Sequence, residues 1–141
     1  MKHKLLFVCI HNSARSQMAE AFVNQLGGDR YEASSAGLEP GTLNPLVVEV
    51  LREKGMNIEG KPTRGVAEVM ASGEEFDTVV TVCDEASAER CPIFPGGGSR
   101  LHWGFPDPSR FEGSRDEKLQ GTREVRDCIE ARVREFVASG A

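Results

Sequence analysis

A chain of 141 residues, 39% of them hydrophobic, has the length for one domain around one core, residues 1–141, and no room for a second. A net charge of -5 does not suit a nucleic-acid binder, and no run of roughly eighteen apolar residues is present to place the chain in a membrane. The opening residues lack the pattern of a signal peptide, so a soluble, cytoplasmic protein is expected, and there four cysteines point to catalytic, redox or metal chemistry rather than a disulfide framework.

Leu5-Leu6-Phe7-Val8 reads as a buried strand, and Met18, Ala21, Phe22, Gln25 and Leu26 recur at helical spacing until Gly27-Gly28. The segment between, Cys9-Ile10-His11-Asn12-Ser13-Ala14-Arg15-Ser16, is therefore a strand-to-helix turn. Such a turn aims several backbone N–H groups at one point, backed by the positive end of the helix, and suits a tetrahedral oxyanion held by residues 10 to 15. The same amides favour a thiolate, which makes Cys9 a candidate nucleophile. Arg15 offers a planar fork for two oxygens of one anion, and Ser13 or Ser16 can hydrogen-bond the sulfur. A cysteine at a strand end is often only a small buried hydrophobe, but the Ser-rich loop and the Arg six positions on weigh against that here.

Tyr31 to Gly37 reads as a second short strand of small residues. Asn44-Pro45 starts a helix whose apolar face is Val47, Val48, Val50 and Leu51 and which ends by Gly55. A short helix over Val66 to Met70 precedes the β-branched run Phe76 to Val82, a central strand. Leu101-His102-Trp103 forms an edge strand, and Arg115 to Ala138 carries Leu119, Val125, Cys128, Ile129, Val133, Phe136 and Val137 at helical spacing, which puts Cys128 in the core. Alternating strands and helices predict an α/β fold: an open four-stranded parallel sheet, order 2-1-3-4, with helices on both faces and its ligand crevice at the strand ends where Cys9 and Cys83 fall.

Cys83 follows the central strand and Cys91 lies eight residues later, just before Pro92. Hydrolysis needs one thiol, whereas reducing an oxyanion takes two electrons, which thiols deliver by ending as a disulfide. Asp84 to Arg90 favours helix, and eight residues of helix separate their ends by roughly 12 Å, beyond the ~7 Å a disulfide tolerates. Pairing Cys83 with Cys91 would thus require that segment to unwind, which the Gly96-Gly97-Gly98 loop would permit. Two inert buried thiols are the alternative; the spacing is wrong for zinc, and no metal is expected. In His102-Trp103-Gly104-Phe105-Pro106-Asp107-Pro108, Asp107 is the candidate general acid, with an ordinary Pro-rich turn as the alternative, while His102 and Trp103 read as packing groups.

The Cys9 loop, the Cys83 and Cys91 pair with Pro92, and the run at 102 to 108 together resemble the thioredoxin-coupled arsenate reductases of the low-molecular-weight protein tyrosine phosphatase superfamily. The resemblance implies that Cys9 attacks arsenate, Arg15 and Ser16 hold the adduct and the sulfur, and Asp107 protonates the leaving oxygen. It further implies that Cys83 attacks Cys9, arsenite departs, and Cys91 attacks Cys83 to leave a Cys83–Cys91 disulfide for thioredoxin, in a monomer without a cofactor. The chain departs from the pattern in places. Many relatives carry Gly for His11 and Cys for Ala14, and a Cys83 to Cys91 gap one residue shorter. Some hold potassium through residues matching Asn12, Glu20 and Ser35 and a downstream acid, where Arg64 stands here, which implies no potassium site. Phosphatase relatives follow the acid and proline with tyrosine, where this chain has Ser109. A phosphomonoester-hydrolysing phosphatase and a non-catalytic oxyanion-binding regulator are the competing readings.

Overall fold

The computed structural model describes residues 2–84, 89–91 and 98–139. The helix expected from Asp84 to Arg90 and the Gly96-Gly97-Gly98 loop fall largely outside the described residues. Four strands, β1 (His3–Cys9), β2 (Tyr31–Gly37), β3 (Thr78–Thr81) and β4 (Ser99–His102), form a parallel sheet in the order β2-β1-β3-β4. The described helices are α1 (Arg15–Gly27), α2 (Pro45–Arg52), α3 (Val66–Ser72) and α4 (Arg115–Ser139). The expected strand order and every expected element in the described residues are present.

Alternation along β1 creates the two layers. Leu5, Phe7 and Cys9 face one side with Val80 and Val82, where Met18, Phe22 and Val23 of α1 and Ile129, Val133 and Phe136 of α4 cover them. Leu6 and Val8 face the other side with Val79, covered by Val66 and Val69 of α3 and by Phe76. Being hydrogen-bonded on both edges, by β2 and β3, β1 needs apolar side chains on both faces, which is why its run is continuous. Register puts Cys9 opposite Gly37 at the carboxyl ends of β1 and β2, the mouth of the crevice.

α2 begins where Asn44 Oδ1 accepts from Leu46 N at 2.9 Å, and it leans on α4 through Arg126, which donates to Val50 O at 2.9 Å and to Glu53 at 2.7 Å. Two expectations fail. Cys128 is exposed, because the buried stripe of α4 runs through Leu119, Thr122, Val125, Arg126, Ile129, Val133 and Phe136, and a residue next to Ile129 is turned about 100° away from it. Trp103 is buried against Phe7 and Phe136, but His102 is exposed and bonds Thr81 Oγ1 at 2.7 Å instead of packing.

Candidate active site

The loop from Cys9 to Arg15 is shaped from outside by the segment that follows β2. Leu38 N donates to Cys9 O, Glu39 N to Ile10 O, Gly41 N to His11 O and Asn44 N to Ser13 O, all within 3.0 Å. In a trans peptide the carbonyl and the next amide point opposite ways, so four outward carbonyls turn the amides of Ile10, His11, Asn12 and Ala14 inward. Asn12 N accordingly reaches Cys9 Sγ at 3.2 Å. The first turn of α1 adds its own amides, since Ala14 at its N-cap supplies no side-chain acceptor and no acid stands in the first turn.

Asn12 is the pivot of this loop. Its φ of 56° is the left-handed conformation that asparagine tolerates better than most residues other than glycine. Its side chain is held fast there: Asn12 O and Oδ1 accept from Gln17 Nε2, Oδ1 also accepts from Arg64 N at 2.9 Å, and Nδ2 donates to Ser16 Oγ at 2.8 Å. Ser16 Oγ, which accepts from Asn12 Nδ2, lies 2.9 Å from Cys9 Sγ, close enough to donate to a thiolate there. Ser16, not Ser13, is the residue that holds the sulfur. His11 is exposed at the rim, where its Nδ1–H donates to Glu39 O at 2.8 Å; the backbone accommodation falls on Asn12, not on His11.

Arg15 is buried, with Nη1 donating to Phe105 O at 3.2 Å and Nη2 lying 3.4 Å from Asp107 Oδ2. Asp107 Oδ1 accepts from Ser109 N at 3.0 Å, which caps the short 3-10 turn Pro108–Arg110 and aims the carboxylate at the loop. Cys9, residues 10 to 14, Arg15, Ser16 and Asp107 are thus brought to one place.

The two later thiols are divided. Cys83 is fully buried in the core layer that contains Cys9, and burial pushes its thiol up to about 11 against the pull of Arg15. Cys91 packs in the opposite layer with Leu6, Val8 and Val79, where burial also raises its thiol. Arg100 donates to Cys91 O at 2.8 Å. Neither cysteine is in a disulfide.

Beneath the loop, Glu20 accepts from Ser35 Oγ at 2.8 Å, and its second oxygen is paired with the Lys61 ammonium. Arg64, expected at this place, points elsewhere, to Ser35 O at 3.4 Å and towards Glu74. Burial, with Arg64 adding, lowers Lys61 to about 8, and its ammonium is held against the Glu20 carboxylate. Among the described residues no cluster of three or more acids, histidines or cysteines forms a metal site. Sequence reasoning missed Gln17, Gly37, Asn44 and Lys61 as parts of this site; only Asn44-Pro45 and the glycine ending β2 had left a signal, each read as an element boundary.

The low molecular weight phosphotyrosine protein phosphatase family matches residues 4–140. The chain belongs to that family. Within it, an arsenate reductase of Bacillus subtilis is 39% identical over 99% of both chains. A crystal structure of an arsenate reductase from Archaeoglobus fulgidus is 34% identical with a TM-score of 0.76, covering 96% of this chain and 99% of that one. A thioredoxin-dependent arsenate reductase of Corynebacterium glutamicum is 29% identical with a TM-score of 0.71, covering 98% of this chain and 60% of that one.

Proposed function

We propose that the chain is an arsenate reductase that spends three thiols in sequence and is re-reduced by thioredoxin. The observation that carries this is Cys83, a second buried thiol in the same layer as Cys9 and within the electrostatic reach of both Cys9 and Arg15. A hydrolase of the same family has no use for it. The arsenate reductase relatives at 34–39% identity support the same reading.

The Cys9 thiolate attacks arsenic, and one arsenate oxygen leaves as water with a proton from Asp107, giving a thiolate–arsenic bond. The inward amides and Arg15 balance the charge of the remaining oxygens. Cys83, losing its proton, attacks Cys9 Sγ; the sulfur–arsenic bond breaks, its electron pair stays on arsenic, and arsenite leaves a Cys9–Cys83 disulfide. Cys91 then attacks Cys83, returning Cys9 as thiolate and forming Cys83–Cys91 for thioredoxin to reduce. Because Cys91 starts in the opposite layer, this last step requires the segment from Cys83 to Cys91 to rearrange. The protein works as a monomer in the cytoplasm.

The test is arsenate-dependent NADPH oxidation with thioredoxin and thioredoxin reductase. Wild type turns over continuously, and Cys91→Ser releases about one arsenite per enzyme and stops. Wild type that oxidises no NADPH with arsenate, but hydrolyses aryl phosphates, would make the chain a phosphatase instead.

A further inference from the structure

Asp107 stands on a loop far along the chain from Cys9, so something must fix its distance from the oxyanion loop. Its ion pair to Arg15, at 3.4 Å, is loose, and Arg15 must also be available to the substrate. A second connection runs through Asn44. Its backbone N–H donates to Ser13 O at 2.9 Å, which ties it to the oxyanion loop. Its Oδ1 accepts from Leu46 N at 2.9 Å, capping α2 and fixing the rotamer. The remaining group, Nδ2, donates to Ser109 Oγ at 3.0 Å, and Ser109 N donates to Asp107 Oδ1 at 3.0 Å. Ser13, Asn44, Ser109, Asp107 and Arg15 therefore close a ring that starts and ends on the oxyanion loop.

We infer that Asn44 is a positioning residue for the general acid: its amide holds Ser109, and through it Asp107, at the distance from which a proton reaches the leaving oxygen. This rests on the reading of Asp107 as the acid. The amide does this with two separate atoms, Oδ1 accepting from the helix and Nδ2 donating to the acid loop, so that it spans the two partners. Serine at position 44 would cap α2 about as well as asparagine does, but its single hydroxyl oxygen is too short to reach Ser109 while it holds the cap.

The experiment measures single-turnover formation of the Cys9–arsenic adduct with enzyme in excess, so that the later thiol steps and re-reduction are silent, on Asn44→Ser, Ser109→Ala and Asp107→Ala and on each of the first two combined with the third. General acid catalysis contributes about 10²-fold or more, so Asp107→Ala slows the maximal rate by that much. Asn44→Ser and Ser109→Ala each slow it about 10-fold, with the arsenate concentration for half-maximal rate and the melting temperature close to wild type. In the Asp107→Ala background neither has any further effect, which a merely structural residue would not reproduce. The inference alone is overturned if Asp107→Ala is slow while Asn44→Ser keeps the wild-type rate, or if Asn44→Ser slows the Asp107→Ala enzyme by the same factor as wild type. Full activity in Asp107→Ala would overturn the acid assignment and the inference with it.

Discussion

Replacing Gly37 by alanine tests how tightly the oxyanion loop is built. A Cβ at Gly37 falls 2.7 Å from Asn12 N and Ile10 O and 2.8 Å from the His11 carbonyl carbon, where ordinary contact begins at 3.4 Å. All three are backbone atoms of the loop, so no side chain can turn aside, and the loop must shift by roughly 0.7 Å. The shift acts on the Asn12 amide, now 3.2 Å from Cys9 Sγ, and on the inward amides beside it. A misplacement near 1 Å costs about 10²-fold in rate, so Gly37→Ala should slow single-turnover arsenite formation by about 30- to 100-fold, with a stability loss of about 1–3 kcal/mol from overpacking. Gly41→Ala is the control, since its Cβ would meet only the His11 side chain, at 3.4 Å or more, and should stay near the wild-type rate. A Gly37→Ala enzyme within about threefold of wild type, with an unchanged melting curve, would refute the claim that the loop is held rigidly against β2.

Three other outcomes follow from the charges. With its thiol pushed to about 11, Cys83 is ionised in roughly one molecule in 10⁴ at pH 7, against about one in 30 for an ordinary thiol. Conversion of the preformed Cys9–arsenic adduct to arsenite should therefore rise about tenfold per unit between pH 7 and 9 in rapid-quench measurements, and a flat profile would mean that Cys83 does not attack from its buried position. Lys61→Met leaves the buried Glu20 carboxylate without its cation and should cost about 2 kcal/mol in denaturant melts, with part of the loss restored by potassium; wild type should show no such response. Arg123 foremost, with Arg126, holds Glu53 down to about 2. That contribution is present above the unfolded value near 4.5 and lost as the pH falls from there towards 2; with the side chain 36% exposed it amounts to about 1 kcal/mol. Glu53→Gln should therefore lower the melting temperature at pH 7 but not at pH 2.

What was legible in the sequence follows from what periodicity encodes. The continuous run of β1, the helical recurrence in α1 and the strand–helix alternation each express a burial pattern, and with them came the sheet order and the Cys9 loop. Cys128 was misread because Val125, Ile129, Val133 and Phe136 define a stripe narrow enough that the neighbour of a core residue falls outside it. Lys61 was missed because its ammonium comes from an irregular segment with no period to read, and Arg64, nearer the aligned position, looked like the natural candidate. The side-chain duties of Asn44 were hidden behind its helix-capping role, which was the part a local signature announces. Nothing in a spacing of eight says which face of a sheet each thiol will take, so the separation of Cys83 from Cys91 is a tertiary fact.

That separation makes the sheet an insulator. In the resting protein the two sulfurs that the proposed relay would join last lie in different core layers, Cys83 in the layer of Cys9 and Cys91 beneath α3, and both are buried. An oxidant cannot close Cys83 onto Cys91 while the sheet stands between them; in the proposed relay that bond forms only after Cys83 has first been oxidised by Cys9. The fold in this way keeps the charged enzyme from discharging idly, and it makes arsenate, rather than oxidising conditions, the event that completes the circuit.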